Sequence, residues 1–187
     1  MNTPSVDSPF AALLATQLNL GLPVELVALT PTYVPQMAKL ESMAHSHPMS
    51  EGNLADCFGH LYRVLGLKLS AGSDANTDAA SDPDSVDGLL GFAIVQQIVD
   101  EVTLLDICLL PSQQGKGYGK LLLNAVVASA KASAAVVLML EVRESNLAAR
   151  ALYQKAGFIE SGRRKGYYPI AGGKEDAILM DLAITQE

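Results

Sequence analysis

Three glycines fall within five residues, Gly115, Gly117 and Gly119, in the segment Gln114-Gly-Lys-Gly-Tyr-Gly119. An apolar run precedes them and a helical pattern follows. A glycine turn at such a junction aims backbone N–H groups at an anion, and the positive end of the next helix helps to hold it. The anion expected there is phosphate. A Walker A loop would need Ser or Thr after Gly119-Lys120, because that hydroxyl ligates magnesium, and Leu121 stands in its place. A dinucleotide fingerprint needs GxGxxG, whereas the spacing here is GxGxG. Glu141 does end the following strand, as that reading requires, but three strands precede the loop and such a fingerprint normally opens its domain. The third reading is a Q-x-x-G-x-G turn that cradles a pyrophosphate through Gln114, Gly115, Lys116, Gly117, Tyr118, Gly119 and Lys120.

A second block follows at Asn146-Leu-Ala-Ala-Arg-Ala-Leu152-Tyr153-Gln-Lys-Ala-Gly157-Phe158, an N-x(5)-L-Y-x(3)-G-F pattern. Ser145 or Asn146 opens it as a helix cap, and Gly157 closes it as the expected C′ glycine.

The elements that must carry these blocks are legible from period and punctuation. A strand is expected at 23–30. A helix follows, with Val34, Met37, Ala38, Leu40 and Met43 near a 3.6 period, and then a break at Pro48 and a short helix capped by Ser50. The stretch 60–70 reads as an alternating strand. Two strands joined by a tight turn near Asp100–Glu101 lead into the glycine loop. A helix spans about 117–132, a fully buried strand 135–143, the capped helix just described comes next, and two strands close the chain. The order β-α-α-β-β-β-α-β-α-β-β predicts a mixed α/β sheet with helices on its faces.

The 187 residues suit one domain at 23–187, with 1–22 read as a flexible leader. Within the domain, 71–87 holds Asp74, Asp78, Asp82, Asp84 and Asp87 and no basic residue, and is expected to be a disordered acidic loop. Asp82, Asp84 and Asp87 miss the spacing of a calcium loop and its closing glutamate. The net charge of −7 disfavours direct nucleic-acid binding and favours a basic partner. No apolar run reaches the ~18 residues of a membrane span. Cys57 and Cys108 read as reduced thiols of a cytoplasmic protein, and the spacing of His45, His47 and His60 offers neither a metal site nor a catalytic role. A monomer is favoured.

Taken together, the glycine turn and the Asn146–Phe158 block resemble the GNAT superfamily of N-acetyltransferases. "LEVRESNLAARALYQKAGF", "RRKGYYP", "EDAILM", "VDEVTLLDICL" and "HPMSE" are similar to its RimI-like branch, over about Val24 to Ala183. One departure is Met49, where the branch often has tryptophan. The resemblance implies a GNAT fold, with a mostly antiparallel sheet splayed between its fourth and fifth strands. It implies acetyl-CoA as cosubstrate, held by the glycine turn and by Ile107, Leu109, Leu110, Asn146 and Tyr153. It also implies an acceptor, the N-terminal alanine of small-subunit ribosomal protein eighteen, a basic protein.

Acetyl transfer to an amine needs a base for the ammonium and an acid for the departing thiolate. Glu141, at the end of a buried strand, is the expected base, with partial burial raising its basicity. Tyr153 is the expected acid, a phenol within reach of a thiolate. The backbone N–H groups around Leu109 and Leu110 are expected to hold the thioester carbonyl and pantetheine. Tyr167 and Tyr168 are expected, with Glu141, to wall the acceptor pocket. The rival readings at this point are an acetyltransferase for a lysine or small amine, a non-catalytic acyl-CoA-binding module, and more remotely a dinucleotide oxidoreductase.

Overall fold

The computed structural model of the chain describes residues 24–70 and 88–185. The leader, the acidic segment 71–87 and the expectations attached to them lie outside the described residues. The chain runs β1 (Val24–Ala28), α1 (Val34–Ala44), α2 (Glu51–Asp56), β2 (Tyr62–Leu69), β3 (Leu89–Ile98) and β4 (Glu101–Leu109). It continues α3 (Tyr118–Ala132), β5 (Val137–Arg143), α4 (Leu147–Lys155), β6 (Ile159–Ile170) and β7 (Gly173–Ala183). This is the order that periodicity predicts.

The seven strands form one sheet in the order β1-β2-β3-β4-β5-β7-β6. All pairs are antiparallel except β4 with β5. That parallel pair is short, matching Glu101–Leu104 to Val137–Leu140 only. Beyond Leu104, β4 continues on β3 alone and β5 on β7 alone, so the sheet splays between its fourth and fifth strands, as expected. A bulge marks the same place. Asp106 pairs with Ile94 and Leu104 with Val95, which leaves Leu105 as the extra residue. Bulges bend a strand and re-aim its side chains.

The sheet is covered on both faces. Seven successive residues of β3, Leu89 to Val95, are buried, which one covered face cannot produce. The expected alternation of β2 does not hold for the same reason: Val64, Leu65, Gly66 and Leu67 are all buried. Helix α3 buries Leu122, Leu123, Ala125, Val126 and Ala130 on the sheet, spacings that keep one helical stripe inward. A fully buried leucine contributes about 1.5–3 kcal/mol, so this stripe fixes where the helix begins. Gly91 permits close β3–β4 packing, since a Cβ there would lie 2.6 Å from the Cys108 carbonyl oxygen. The β3–β4 turn sits at Val99–Asp100, one residue earlier than expected, with Val99 at φ 56.

Candidate active site

The divergence of β4 from β5 opens a cavity of about 440 Å³. Strand β4 contributes Leu104, Asp106 and Ile107, β5 contributes Glu141 and Arg143, and α4 contributes Asn146 and Tyr153. Tyr168 of β6 forms a wall, and the α1–α2 connection supplies a rim from His45 to Met49. Glu141, Tyr153, Asn146, Ile107 and Tyr168 therefore meet in one place. Tyr167 does not line the cavity; its ring stands edge-on to Tyr168, with centroids 5.0 Å apart.

Glu141 is partly exposed, and its Oε1 pairs with Arg164 Nη2 at 3.0 Å. Sequence reasoning missed this partner, which reaches across from β6. Arg164 also lies over the Tyr167 ring at 5.3 Å. Arg143 is held by Glu175 at 2.7 Å and stacks 4.3 Å from the Tyr168 ring centroid, which fixes that wall. Cation–π contacts of this kind contribute about 0.5–1 kcal/mol when exposed.

Tyr153 is buried and packs on Phe158, the two aromatics of the Asn146–Phe158 block. Burial raises the pKa of its phenol well above the ordinary tyrosine value, and the charge of Asp106 adds to this. The phenol stays protonated at working pH, and it is a weaker acid than an unperturbed tyrosine. Asn146 caps α4 as expected, its Oδ1 accepting the Ala149 N–H at 3.1 Å.

The glycine turn follows the C-terminal end of β4. Gly115 and Gly117 adopt φ 75 and φ 90, left-handed values that favour glycine. Gly117 is the N-cap of α3 and makes no side-chain cap, so the first-turn N–H groups have no side-chain acceptor there. A Cβ at either glycine would meet no protein atom within 4 Å. Gly119 sits between Leu109 and Leu152, each 3.5 Å from where its Cβ would lie, which joins the turn to β4 and α4. Lys116 and Lys120 are exposed beside it, whereas the Tyr118 side chain belongs to the core. Gln114 Nε2 donates to the Leu109 carbonyl at 3.3 Å.

The backbone donors of β4 need one correction. Leu110 N–H donates to Leu90 O at 2.9 Å, so it serves the sheet. Antiparallel alternation turns Leu109 N–H the other way, toward the side from which β5 has diverged. Ile107 N–H is engaged by the Asp106 carboxyl.

Three polar residues that sequence reasoning left out also belong to the cavity: Glu41, His45 and Asp106. Glu41 is almost wholly buried, at 1% exposure. It falls on the apolar stripe of α1, seven residues after Val34 and four after Met37, and that position was the available signal. Its Oε2 accepts Met49 N–H at 2.9 Å, and His45 Nδ1 lies 3.1 Å away. Burial opposes ionisation of Glu41, but the His45 and Met49 hydrogen bonds outweigh it and hold the carboxyl below its ordinary value. The Glu41 bond in turn raises His45. Asp106 is pushed up to about 8, first by burial and then by the charge and hydrogen bond of Glu41. Donor atoms of Glu41, His45 and Cys108 lie within 4.8 Å of one another. Burial raises the Cys108 thiol far above its ordinary value. The group is a hydrogen-bonded network. Among the described residues no helix is long and apolar enough to cross a membrane.

Comparison with known proteins places this geometry. The profile of the Acetyltransferase (GNAT) family matches residues 70–158. The chain is 41% identical to the [Ribosomal protein bS18]-alanine N-acetyltransferase of Haemophilus influenzae over 146 residues, covering 78% of this chain and 88% of that protein. It is 39% identical to the enzyme of the same name from Salmonella typhimurium over 157 residues, 84% of this chain and 95% of the relative. The crystal structure of the ribosomal-protein-S18-alanine N-acetyltransferase from Escherichia coli superposes with a TM-score of 0.75. There the identity is 34%, over 88% of this chain and 96% of the other.

Proposed function

The chain belongs to the GNAT family of acetyltransferases, and on that premise we propose that it acetylates the N-terminal alanine of ribosomal protein bS18, in the cytoplasm, with Glu141 as base and Tyr153 as acid. Acetyl-CoA is the cosubstrate. The observation that carries the assignment of roles is the meeting of Glu141, Tyr153 and Tyr168 in the cavity where β4 leaves β5. A carboxylate and a phenol face one space at the end of the strand whose Leu109 N–H is turned toward it.

The pyrophosphate of acetyl-CoA rests on the Gln114–Lys120 turn and the first turn of α3, with Lys116 and Lys120 adding charge. The thioester lies along β4, with Leu109 N–H directed to the pantetheine. The acceptor enters between the 45–49 rim and Tyr168. Glu141 takes one proton from the acceptor ammonium. The free amine attacks the thioester carbon, a C–N bond forms and the C–S bond breaks. Tyr153 hands its proton to the departing sulfur and recovers the proton that the new amide nitrogen sheds. One proton per turnover reaches solvent, on Glu141's account, and charge balances. Because burial makes Tyr153 a weak acid, its transfer is uphill unless it is coupled to that recovery.

The chemistry favours an α-amine. At pH 7 deprotonation costs about 1.4 kcal/mol for an α-amine and about 4.6 kcal/mol for a lysine, at about 1.36 kcal/mol per pH unit. The net charge of −7 also favours approach of a basic protein.

The test is acetyl-CoA with a panel of acceptors: a bS18 N-terminal peptide, the same peptide with a blocked N-terminus and an internal lysine, and a polyamine. Acetylation of the free alanine alone is the expected result, and transfer only to the lysine or polyamine would overturn the acceptor. Acetyl-CoA should also raise Tm, as a ligand of the native state does, whereas NADH should not. Gly117→Val should abolish the Tm response, because valine does not adopt φ 90 without strain and its side chain would project where the turn's N–H groups meet phosphate. A Gly117→Val protein with an undiminished response would move the cofactor site elsewhere.

A further inference from the structure

Two buried carboxyl groups meet beneath the acceptor rim. Asp106, on the bulge of β4, is in hydrogen-bond contact with Glu41 of α1. Glu41 Oε1 and Asp106 Oδ2 are both buried; Oδ2 meets no N–H or hydroxyl donor, and Oε1 lies 3.1 Å from His45 Nδ1 but outside hydrogen-bonding geometry. Two carboxylates cannot bond one another as anions. One proton between them accounts for both oxygens at once, because it makes one group the donor and the other the acceptor. Glu41 also accepts Met49 N–H and sits against His45, so it holds both ends of the rim.

We propose that Asp106 and Glu41 share one proton, and that this shared proton ties the 45–49 rim to β4, which makes Asp106 a positioning residue for the acceptor. The inference rests on the acceptor entering over that rim, as in the function proposed above. Loss of the proton leaves two anions in contact in a buried site. Their repulsion loosens the rim where the acceptor binds and leaves the glycine turn, which contacts neither carboxyl, unaffected.

The groups that face the pair are few. His45 lies on the solvent side of Glu41, with Arg143 of β5 beyond it. Cys108 adjoins both carboxyls on β4, Cys57 approaches from the end of α2, and Tyr153 faces Asp106 from α4. Burial raises both thiols and the phenol, so none of these three ionises before Asp106, which does so at about 8. His45 is raised from 6.5, first of all by its Glu41 hydrogen bond.

The prediction is a descending alkaline limb in kcat/KM for the peptide. The acceptor amine gives a rise up to about pH 8, and Tyr153 ionises too high to give a fall near there. The wild type should therefore lose about tenfold in kcat/KM per pH unit above the ionisation of the pair. The loss should lie in the peptide KM, with acetyl-CoA binding unchanged. Asp106→Asn supplies an uncharged N–H donor to Glu41, so it should show no alkaline limb, its peptide KM staying flat across the range in which the wild-type value rises. Asp106→Ala removes the donor and leaves the Glu41 carboxyl without its link to β4, so peptide KM should rise several-fold at every pH.

Stability gives a readout that does not depend on turnover. Asp106 holds its proton to about 8 in the fold, whereas an unfolded aspartate releases it near 3.8. A folded-state value raised for an acid means that the fold binds the extra proton between these limits, so stability falls as pH rises through that window and levels off above it. The raised His45 acts in the same direction, its contribution being present below 6.5 and lost as pH rises through its folded value. Asp106→Asn should flatten the fall in Tm above about pH 6. Infrared difference spectra of the wild type between about pH 6 and about pH 10 should show one protonated-carboxyl band disappear, and the band should be missing in the variant. An Asp106→Asn enzyme that keeps the alkaline limb, a wild type without the band, or an Asp106→Ala enzyme with unchanged peptide KM would overturn the proposal. A wild type that binds acetyl-CoA but transfers to no N-terminal peptide would instead overturn the acceptor reading, and the infrared and Tm results would stand apart from it.

Discussion

Glu141→Gln should lower kcat by about 10²–10⁴-fold, the range found for a positioned proton acceptor. Glutamine keeps the length of the side chain and an oxygen for Arg164, which stands 3.0 Å from the carboxylate. The β5–β7 ladder at Glu141 and Leu179 is untouched, so Tm and the acetyl-CoA response should stay near wild type. Only the ability to take a proton is removed. The variant must then use the fraction of peptide that is already deprotonated, and its rate should climb about tenfold per unit up to about pH 8, the α-amine value. Arg164 sharpens the test. In the free enzyme this guanidinium is the counter-charge of Glu141, and the incoming ammonium takes its place. Full activity of Glu141→Gln at pH 7 would mean that the acceptor deprotonates without the enzyme's help, and Glu141 would be an ion-pair partner of β6 alone.

Tyr153→Phe should cost a comparable factor, about 10²–10⁴-fold in kcat. The ring remains, so the contact with Phe158 at 5.8 Å and the burial of α4 are preserved and Tm should change little. The lost group is one hydroxyl facing the cavity. Its role as proton donor to sulfur predicts a dependence on the leaving group. An acetyl thioester of a more acidic thiol departs without a proton, so the defect of Tyr153→Phe should shrink with that donor while the defect of Glu141→Gln should not. Equal losses with both donors would assign the hydroxyl to binding of the acyl group. A wild-type rate with acetyl-CoA would remove Tyr153 from the chemistry altogether.

Helix α4 shows how far local signals reach. Its Asn146 cap, its Gly157 stop at φ 96 and the Leu152-Tyr153 pair are short-range features, and each is where the sequence places it. The same holds for the glycine turn, because a left-handed backbone at Gly115 and Gly117 is a property of a few adjacent residues. Strand β2 shows the limit. Its residues cannot say that both faces will be covered, and the expected alternation gives way to four buried residues in succession. Tyr167 and Tyr168 make the same point within the site. They are adjacent, and the alternation of β6 directs only Tyr168 into the cavity, where Arg143 pins it.

The sequence by itself determined the family, the order of the elements, the glycine turn and the places of Glu141 on β5 and Tyr153 on α4, because those rest on period, punctuation and motif spacing. Only the tertiary structure decided that Arg164 answers Glu141, that Leu110 N–H serves β3, and that Glu41, His45 and Asp106 form one network beneath the 45–49 rim. Glu41 and Asp106 lie 65 positions apart in the chain. A carboxyl group on its own strand or helix reads as a solvated charge. It becomes a proton-sharing partner only when packing removes water and brings a second carboxyl within hydrogen-bond reach, and no local pattern encodes that distance.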